Sequence, residues 1–199
     1  MSKPQLTFWF DFGSTYSFLA AMRIEQLAKD AGVEVTWKPF LLGPVFQSQG
    51  LKDSPLNVFP VKGKALIRDA QRIAEDMGIP FKWPEKFPQS SVLAGRVALV
   101  GLKEGWGKDF GRDVFAAEYS YGRDISDPNT ITEILAKHKV PVEATLAKAQ
   151  SDEIKSELRD NTADAQKRGF FGAPTFTTAS GELFWGNDRL EQALRWAKK

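Results

Sequence analysis

FDFGSTYSFLA, residues Phe10 to Ala20, passes from an aromatic, β-favouring run through Gly13-Ser14 into residues spaced for a helix. A strand-to-helix junction of this kind is where a redox enzyme carries its active-site cysteine pair. Here the junction carries Ser14, and the chain of 199 residues contains no cysteine. The question is what chemistry such a scaffold performs without thiols of its own.

Working outward, Leu6 to Phe12 (LTFWFDF) reads as a strand buried on both faces, because its apolar residues are nearly continuous rather than alternating. From Thr15 to Ala31, Phe18, Leu19, Met22, Leu27 and Ala28 recur at helical spacing, and Gly32 supplies a stop. Val33 to Phe40 is a second strand. The helix between them is long enough for a right-handed crossover, so the two strands are expected to be parallel. The middle of the chain changes character: helices are expected over 64–77, 90–104, 108–121, 130–137, 143–149 and 151–168, with Gly78-Ile79-Pro80, Pro84 and Pro88 as a rigid connector. After Gly172, Thr175–Thr178 and Glu182–Trp185 flank Ser180-Gly181 as a hairpin, and Asp188 to Ala197 closes with an amphipathic helix. The order βαβ, helical block, ββα is that of an α/β, thioredoxin-like fold with an inserted all-helical domain. The expected division is 1–61 with 169–199 as the thioredoxin-like part and 62–168 as the insertion.

Composition narrows the chemistry. With 42% hydrophobic residues, 15 Phe and 6 Trp, the chain can bury one substantial core. The 27 Lys and Arg against 25 Asp and Glu give a net charge of +2, too little to gather nucleic acid or an anionic membrane. No segment approaches the ~20 apolar residues of a membrane span, and MSKPQLTFWF lacks the apolar region of a secretory signal. These features point to a cytoplasmic enzyme or binding protein. Without cysteine, and with His138 as the one histidine, neither a zinc site nor a Ser-His-Asp triad is expected. No glycine-rich nucleotide motif follows a strand. Asp11-Phe12-Gly13 lacks the companion motifs of a kinase, and Ser14 lacks the frame of a hydrolase elbow.

Several residues carry two readings each. Ser14 fits a helix N-cap, and the same hydroxyl, among unpaired N–H groups at the positive end of a helix dipole, suits an anion such as a thiolate. Pro174 either marks a strand edge or forms a cis bond with Ala173 that turns the Ala173 peptide toward an extended ligand. Asn187 or Asp188 followed by Glu191 matches a capping pattern, while the amide and carboxylate also suit an amine or amide ligand. Lys62, Lys64 and Arg68, with Asp69 and Arg72, read as a solvated helix face. His138 reads as an exposed helix-end residue, and Trp185 with the Phe8–Phe12 cluster reads as core.

Taken together, FWFDFGSTYSFLA, PFLLGPVF, PVKGKALIRDAQRIAEDMGIPFKWP, FGAPTF and FWGNDRL resemble the 2-hydroxychromene-2-carboxylate isomerases and the related kappa-class glutathione transferases, through nearly the whole chain. The resemblance implies a DsbA-like thioredoxin fold in which serine replaces the redox cysteine and the thiol is that of bound glutathione. It implies that Ser14 hydrogen-bonds the glutathione sulfur, that Ala173 and cis-Pro174 meet its cysteinyl backbone, and that Asn187 and Asp188 lie near its γ-glutamyl end. Lys62 would lie by the glycyl end, with Asp53 or Asn57 nearby. The thiolate would add to the conjugated enone of a ring-opened aromatic substrate, allow rotation about the bond, and leave again, so that glutathione is returned. Lys64 and Arg68 are candidates for the substrate carboxylate. A homodimer is the implied assembly. One departure is Thr15, where isomerases of this type carry proline. The isomerase is thus the first reading, and a transferase consuming glutathione is the second. A non-catalytic thiol- or peptide-binding module, with Ser14 only a cap, is the third.

Overall fold

The computed structural model describes residues 3–199. A four-stranded sheet in the order β2-β1-β3-β4 forms its centre. Strand β1 (Gln5–Phe10) pairs in parallel with β2 (Glu34–Pro39), Leu6 opposite Val35 and Phe8 opposite Trp37, after the crossover helix α1 (Thr15–Ala31). Strand β3 (Thr175–Thr178) runs antiparallel to β1, with Phe176 opposite Phe8, and β4 (Leu183–Trp185) completes the hairpin.

The apolar run of β1 serves both faces of the sheet. Phe8 and Phe10 point into the larger core with Trp37, Phe115 and Phe176, ring centroids 4.9 to 5.8 Å apart. Trp9 points the other way, against Phe40 and Phe170, and its indole N–H donates to Thr177 Oγ1 at 2.9 Å. β1 extends from Gln5 and stops at Phe10, so Asp11 and Phe12 belong to the turn that follows. Gly32 closes α1 at φ +69°, where any side chain would be strained, and its N–H bonds to Lys29 O at 3.1 Å.

Eight helices lie between β2 and β3. Five of them, α5 (Val92–Glu104), α6 (Gly107–Tyr119), α7 (Pro128–Lys137), α8 (Val142–Ala149) and α9 (Asp152–Lys167), match the expected block to within two residues at each end. Helix α4 (Pro60–Asp76) starts four residues earlier than expected, because Pro60 occupies its first turn, where a missing N–H costs nothing. The boundary at residue 62 therefore falls inside α4.

Two short helices, α2 (Leu42–Ser48) and α3 (Pro55–Val58), were not expected at all. Gly43-Pro44 reads locally as a breaker, yet the N-terminal Leu42 N–H finds its acceptor in Asp11 Oδ2, 2.6 Å away and 31 residues earlier. A cap delivered from that distance in sequence leaves no local signature. Two further expectations are corrected. His138 is largely covered rather than exposed: it ends α7, its Nε2 lies 3.0 Å from Asp113 Oδ2, and its ring packs near Trp106 and Phe110. Asn187 and Asp188 do not cap the last helix; they lie in a 3-10 turn (Asn187–Arg189), and helix α10 begins only at Leu190.

Glu118 on α6 is completely buried, and neither of its oxygens has a hydrogen-bond partner among the described residues. Burial, reinforced by the nearby charge of Asp11, holds its carboxyl well above the ordinary range. A carboxyl raised on folding keeps a proton that the unfolded chain releases. It contributes stability that is complete below the unfolded pKa and is lost as pH rises toward the folded value. Glu118→Gln is therefore expected to gain on the wild type progressively above about pH 4. Urea midpoints measured across that range check this, and a difference that does not change with pH would refute it.

Candidate active site

The turn after β1 brings the backbone to Ser14, which caps α1. Its hydroxyl accepts the Ser17 N–H at 3.1 Å and donates to Ala173 O at 2.8 Å. The capping reading of Ser14 is thus realised, and the same hydroxyl joins the two chain segments that the sequence marked as site candidates. The Ala173–Pro174 bond is cis. Pro174 O accepts the Gly186 N–H at 3.0 Å, locking the start of β3 to the end of β4. No hydrogen bond among the described residues uses the Ala173 N–H. An unpaired N–H therefore lies beside the Ser14 hydroxyl and the N-terminus of α1, an arrangement that favours negative charge.

A cavity of about 220 Å³ opens over this junction, lined by Ser14, Tyr16, Lys62, Leu66, Ala173 and Trp185, among others. Trp185 and Phe171, at 47% and 48% exposure and with rings 4.9 Å apart, form its aromatic wall, so Trp185 is not core. Gly172 is required there: a Cβ on it would meet the Trp185 indole nitrogen at 2.4 Å.

The other candidates divide. Lys62 and Leu66 line the cavity, and Asp69 on the same face of α4 accepts the Tyr16 hydroxyl at 2.7 Å, a spacing of i, i+4, i+7. Burial and the Asp69 carboxylate hold the Tyr16 hydroxyl above its ordinary pKa, so it stays a donor. Lys64 and Arg68, at i+2 and i+6, fall on the opposite, exposed face, where Arg68 pairs with Glu75 at 3.1 Å. The structure does not bring them to the cavity. Asn187 is buried against α1: its Oδ1 accepts Arg23 Nε at 3.1 Å, and Arg23 also pairs with Glu191. Asp188 is exposed and pairs with Arg189 at 3.2 Å, and its charge is felt by Tyr16. Asp53 and Asn57 are joined to each other at 3.0 Å, so the two alternatives form one unit.

Sequence reasoning missed Tyr16, Phe171 and the pairing of Asp69 with Tyr16. For Asp69 the signal was its helical spacing from Lys62. For Phe171 it was an aromatic residue directly before the glycine of the Gly172–Phe176 motif. It also missed Asp11, whose carboxylate accepts the N–H groups of Gly13 at 3.0 Å and Leu42 at 2.6 Å. Burial raises the pKa of Asp11, and those bonds oppose the rise.

The model of the DSBA-like thioredoxin domain matches residues 5–195. A 2-hydroxychromene-2-carboxylate isomerase of Pseudomonas putida is 30% identical, covering 92% of this chain and 89% of the relative. Glutathione S-transferase kappa 2 of Caenorhabditis elegans is 28% identical, covering 96% and 90%. Among solved structures, a 2-hydroxychromene-2-carboxylate isomerase superposes with a TM-score of 0.85 at 27% identity, covering 98% of this chain and 94% of the other. With its cis-proline loop facing a helix N-terminus and these matches along its length, the chain belongs to the DSBA-like thioredoxin family, in the group that holds the 2-hydroxychromene-2-carboxylate isomerases and the kappa-class glutathione transferases.

Proposed function

We propose that this chain is a glutathione-dependent cis-trans isomerase of the 2-hydroxychromene-2-carboxylate type, acting on a small conjugated carbonyl compound. The observation that carries the reading is the Ser14 hydroxyl, held at the N-terminus of α1 and 2.8 Å from the carbonyl of Ala173, in a chain without cysteine. Bound glutathione would supply the missing thiolate, a soft nucleophile able to add reversibly to an enone.

The residues fit such a ligand. An extended backbone lying along Ala173 would meet its unpaired N–H and would offer an N–H to its carbonyl. The Ala173 carbonyl would then exchange the Ser14 proton for a ligand proton, and the Ser14 hydroxyl would be released to turn toward sulfur. The α1 N-terminus adds positive potential, which lowers a thiol pKa from its free value of ~8.5. Lys62 would pair with the glycyl carboxylate, and Asp188 with the γ-glutamyl ammonium. Asn187, held by Arg23, would fix the turn that carries Asp188. The Asp53–Asn57 pair would contribute polar contacts at the glycyl side. The reading also carries a homodimer, as the resemblance implies, and a cytoplasmic location, as composition suggests.

A transferase that consumes glutathione is the second reading, favoured by Thr15, which stands where isomerases of this type carry proline. Product analysis separates the two: an isomerase returns free glutathione, and a transferase yields a thioether.

Titration with reduced glutathione, followed by thiolate absorbance at neutral pH, tests the assignment. Wild type is expected to form thiolate. Ser14→Ala is expected to lose most of that signal, with a stability cost of about 1 kcal/mol from the cap and roughly as much again from the lost bond to Ala173 O. Equal thiolate in both proteins would remove Ser14 from the chemistry, and no binding to wild type would remove the glutathione reading.

Lys62→Met is expected to weaken glutathione binding by about tenfold. The glycyl monoethyl ester of glutathione is expected to bind both proteins alike, and calorimetric titration of the two ligands checks the difference. An equal loss for both ligands would mean that Lys62 does not read the carboxylate.

A further inference from the structure

The helix that starts at Ser14 also holds the Asn187–Arg189 turn. Arg23 leaves α1 about two and a half turns after Ser14, and helical side chains lean back toward the N-terminus. Its partly buried guanidinium grips two residues at once. Nε donates to Asn187 Oδ1 at 3.1 Å, and Nη2 donates to Asn187 O at 2.6 Å and to Glu191 Oε2 at 3.2 Å. Nη1 pairs with Glu191 Oε1. Burial works against a charge on Glu191, yet the Arg23 bond holds its carboxyl below the ordinary range, so the pair is ionised.

These bonds fix the place of Asp188, which lies between the two residues that Arg23 grips. Asp188 is exposed, and its side chain has no packed surroundings to set its position. The turn does this instead. Gly186 N–H is tied to Pro174 O at 3.0 Å, and Asp188 Oδ1 folds over Gly186, where an added Cβ would meet it at 2.6 Å. Buried Asn187 is held at both of its oxygens by Arg23, and Glu191 is held by the same planar fork. The Asp188 charge is felt at the hydroxyl of Tyr16, which lines the Ser14 cavity. One helix therefore sets the hydroxyl directly and the carboxylate through Arg23.

We propose that Arg23 is a positioning residue that sets the span between the Ser14 hydroxyl and the Asp188 carboxylate, and that this span selects a γ-linked over an α-linked glutamyl group. The proposal rests on the glutathione reading of the Ser14 cavity, with Asp188 as the partner of the ammonium. A γ-linked glutamyl group carries its ammonium farther from the cysteinyl residue than an α-linked one does. The two linkage isomers hold the same groups and the same charges. Net attraction cannot separate them, and only the placement of the carboxylate can.

The test is calorimetric titration of wild type, R23M and R23K with reduced glutathione and with its isomer α-glutamyl-cysteinyl-glycine. Wild type is expected to bind glutathione about tenfold more tightly than the isomer. R23M is expected to lose that preference through weaker glutathione binding, while the isomer binds as before. R23K keeps a cation beside Glu191 but cannot reach both Asn187 oxygens as a fork, and it is expected to lose the preference as well. Thermal melts followed by circular dichroism identify which variants are folded at the titration temperature.

A preference retained in either folded variant overturns the proposal and leaves Asp188 as the ammonium partner. Equal weakening of both isomers in the variants also overturns it, because Arg23 would then be a structural support alone. A wild type that binds both isomers alike removes the Asp188 reading together with the proposal, and a wild type that binds neither removes the glutathione reading as well.

Discussion

One buried carboxylate organises the functional end of this molecule. Asp11 accepts the N–H of Gly13, which sets the turn into Ser14, and the N–H of Leu42, which opens helix α2. Gly13 and Leu42 both line the Ser14 cavity and a neighbouring cavity of about 300 Å³. A single side chain therefore fixes the elbow that presents the hydroxyl and the helix that bounds the space beside it. Placing a carboxylate at 5% exposure is costly, and charge-assisted N–H bonds offset that cost only while the geometry is kept. The raised pKa of Asp11 records this tension.

The fold was legible wherever local pattern and global packing agree. The apolar run of β1, the spacing of α1 with Gly32 as its stop, and the Thr175–Trp185 hairpin each state their own structure. Helices α2 and α3 were not legible, because the first donates its N-terminal Leu42 N–H to distant Asp11 and both begin near proline residues that read as breakers. Of the candidate residues, Ser14, Ala173 and Lys62, which lie in short motifs beside turns, come together around one cavity. Lys64 and Arg68, chosen on charge alone, do not line it. Helical phase, counted from Lys62, places them on the far side of α4 and brings Asp69 to the hydroxyl of Tyr16, which lines the cavity. Trp185 was mistaken for core because an aromatic residue in a strand gives no indication of whether its face of the sheet is covered.

Sequence spacing also could not show that the Ser14 hydroxyl is already engaged. A serine that only capped α1 would need one acceptor interaction with the Ser17 N–H. This one also spends its proton on Ala173 O, a contact across 159 residues that ties the helix start to the cis-proline loop. The contact gives Ser14 a structural duty in the free protein and, on the proposed reading, a second duty with ligand bound. Both duties use the same proton, so they alternate.

That alternation has a physical advantage. A buried hydroxyl with no partner would be costly in the free state, by ~1–3 kcal/mol. Pairing it with Ala173 O removes this cost, and the ligand that displaces the proton replaces it with its own N–H. Binding then exchanges one hydrogen bond for another at the loop, and its net gain comes from the contacts that the free protein leaves open. These are the Ala173 N–H, the α1 dipole and the Lys62 ammonium, all groups that favour an anion. The Ala173 N–H takes the ligand backbone and Lys62 the glycyl carboxylate in either protonation state, whereas the α1 dipole gives little to a neutral thiol and acts directly on a thiolate. On this reading, discrimination between the two protonation states is built into the backbone at the start of α1, and the Ser14 hydroxyl only has to turn.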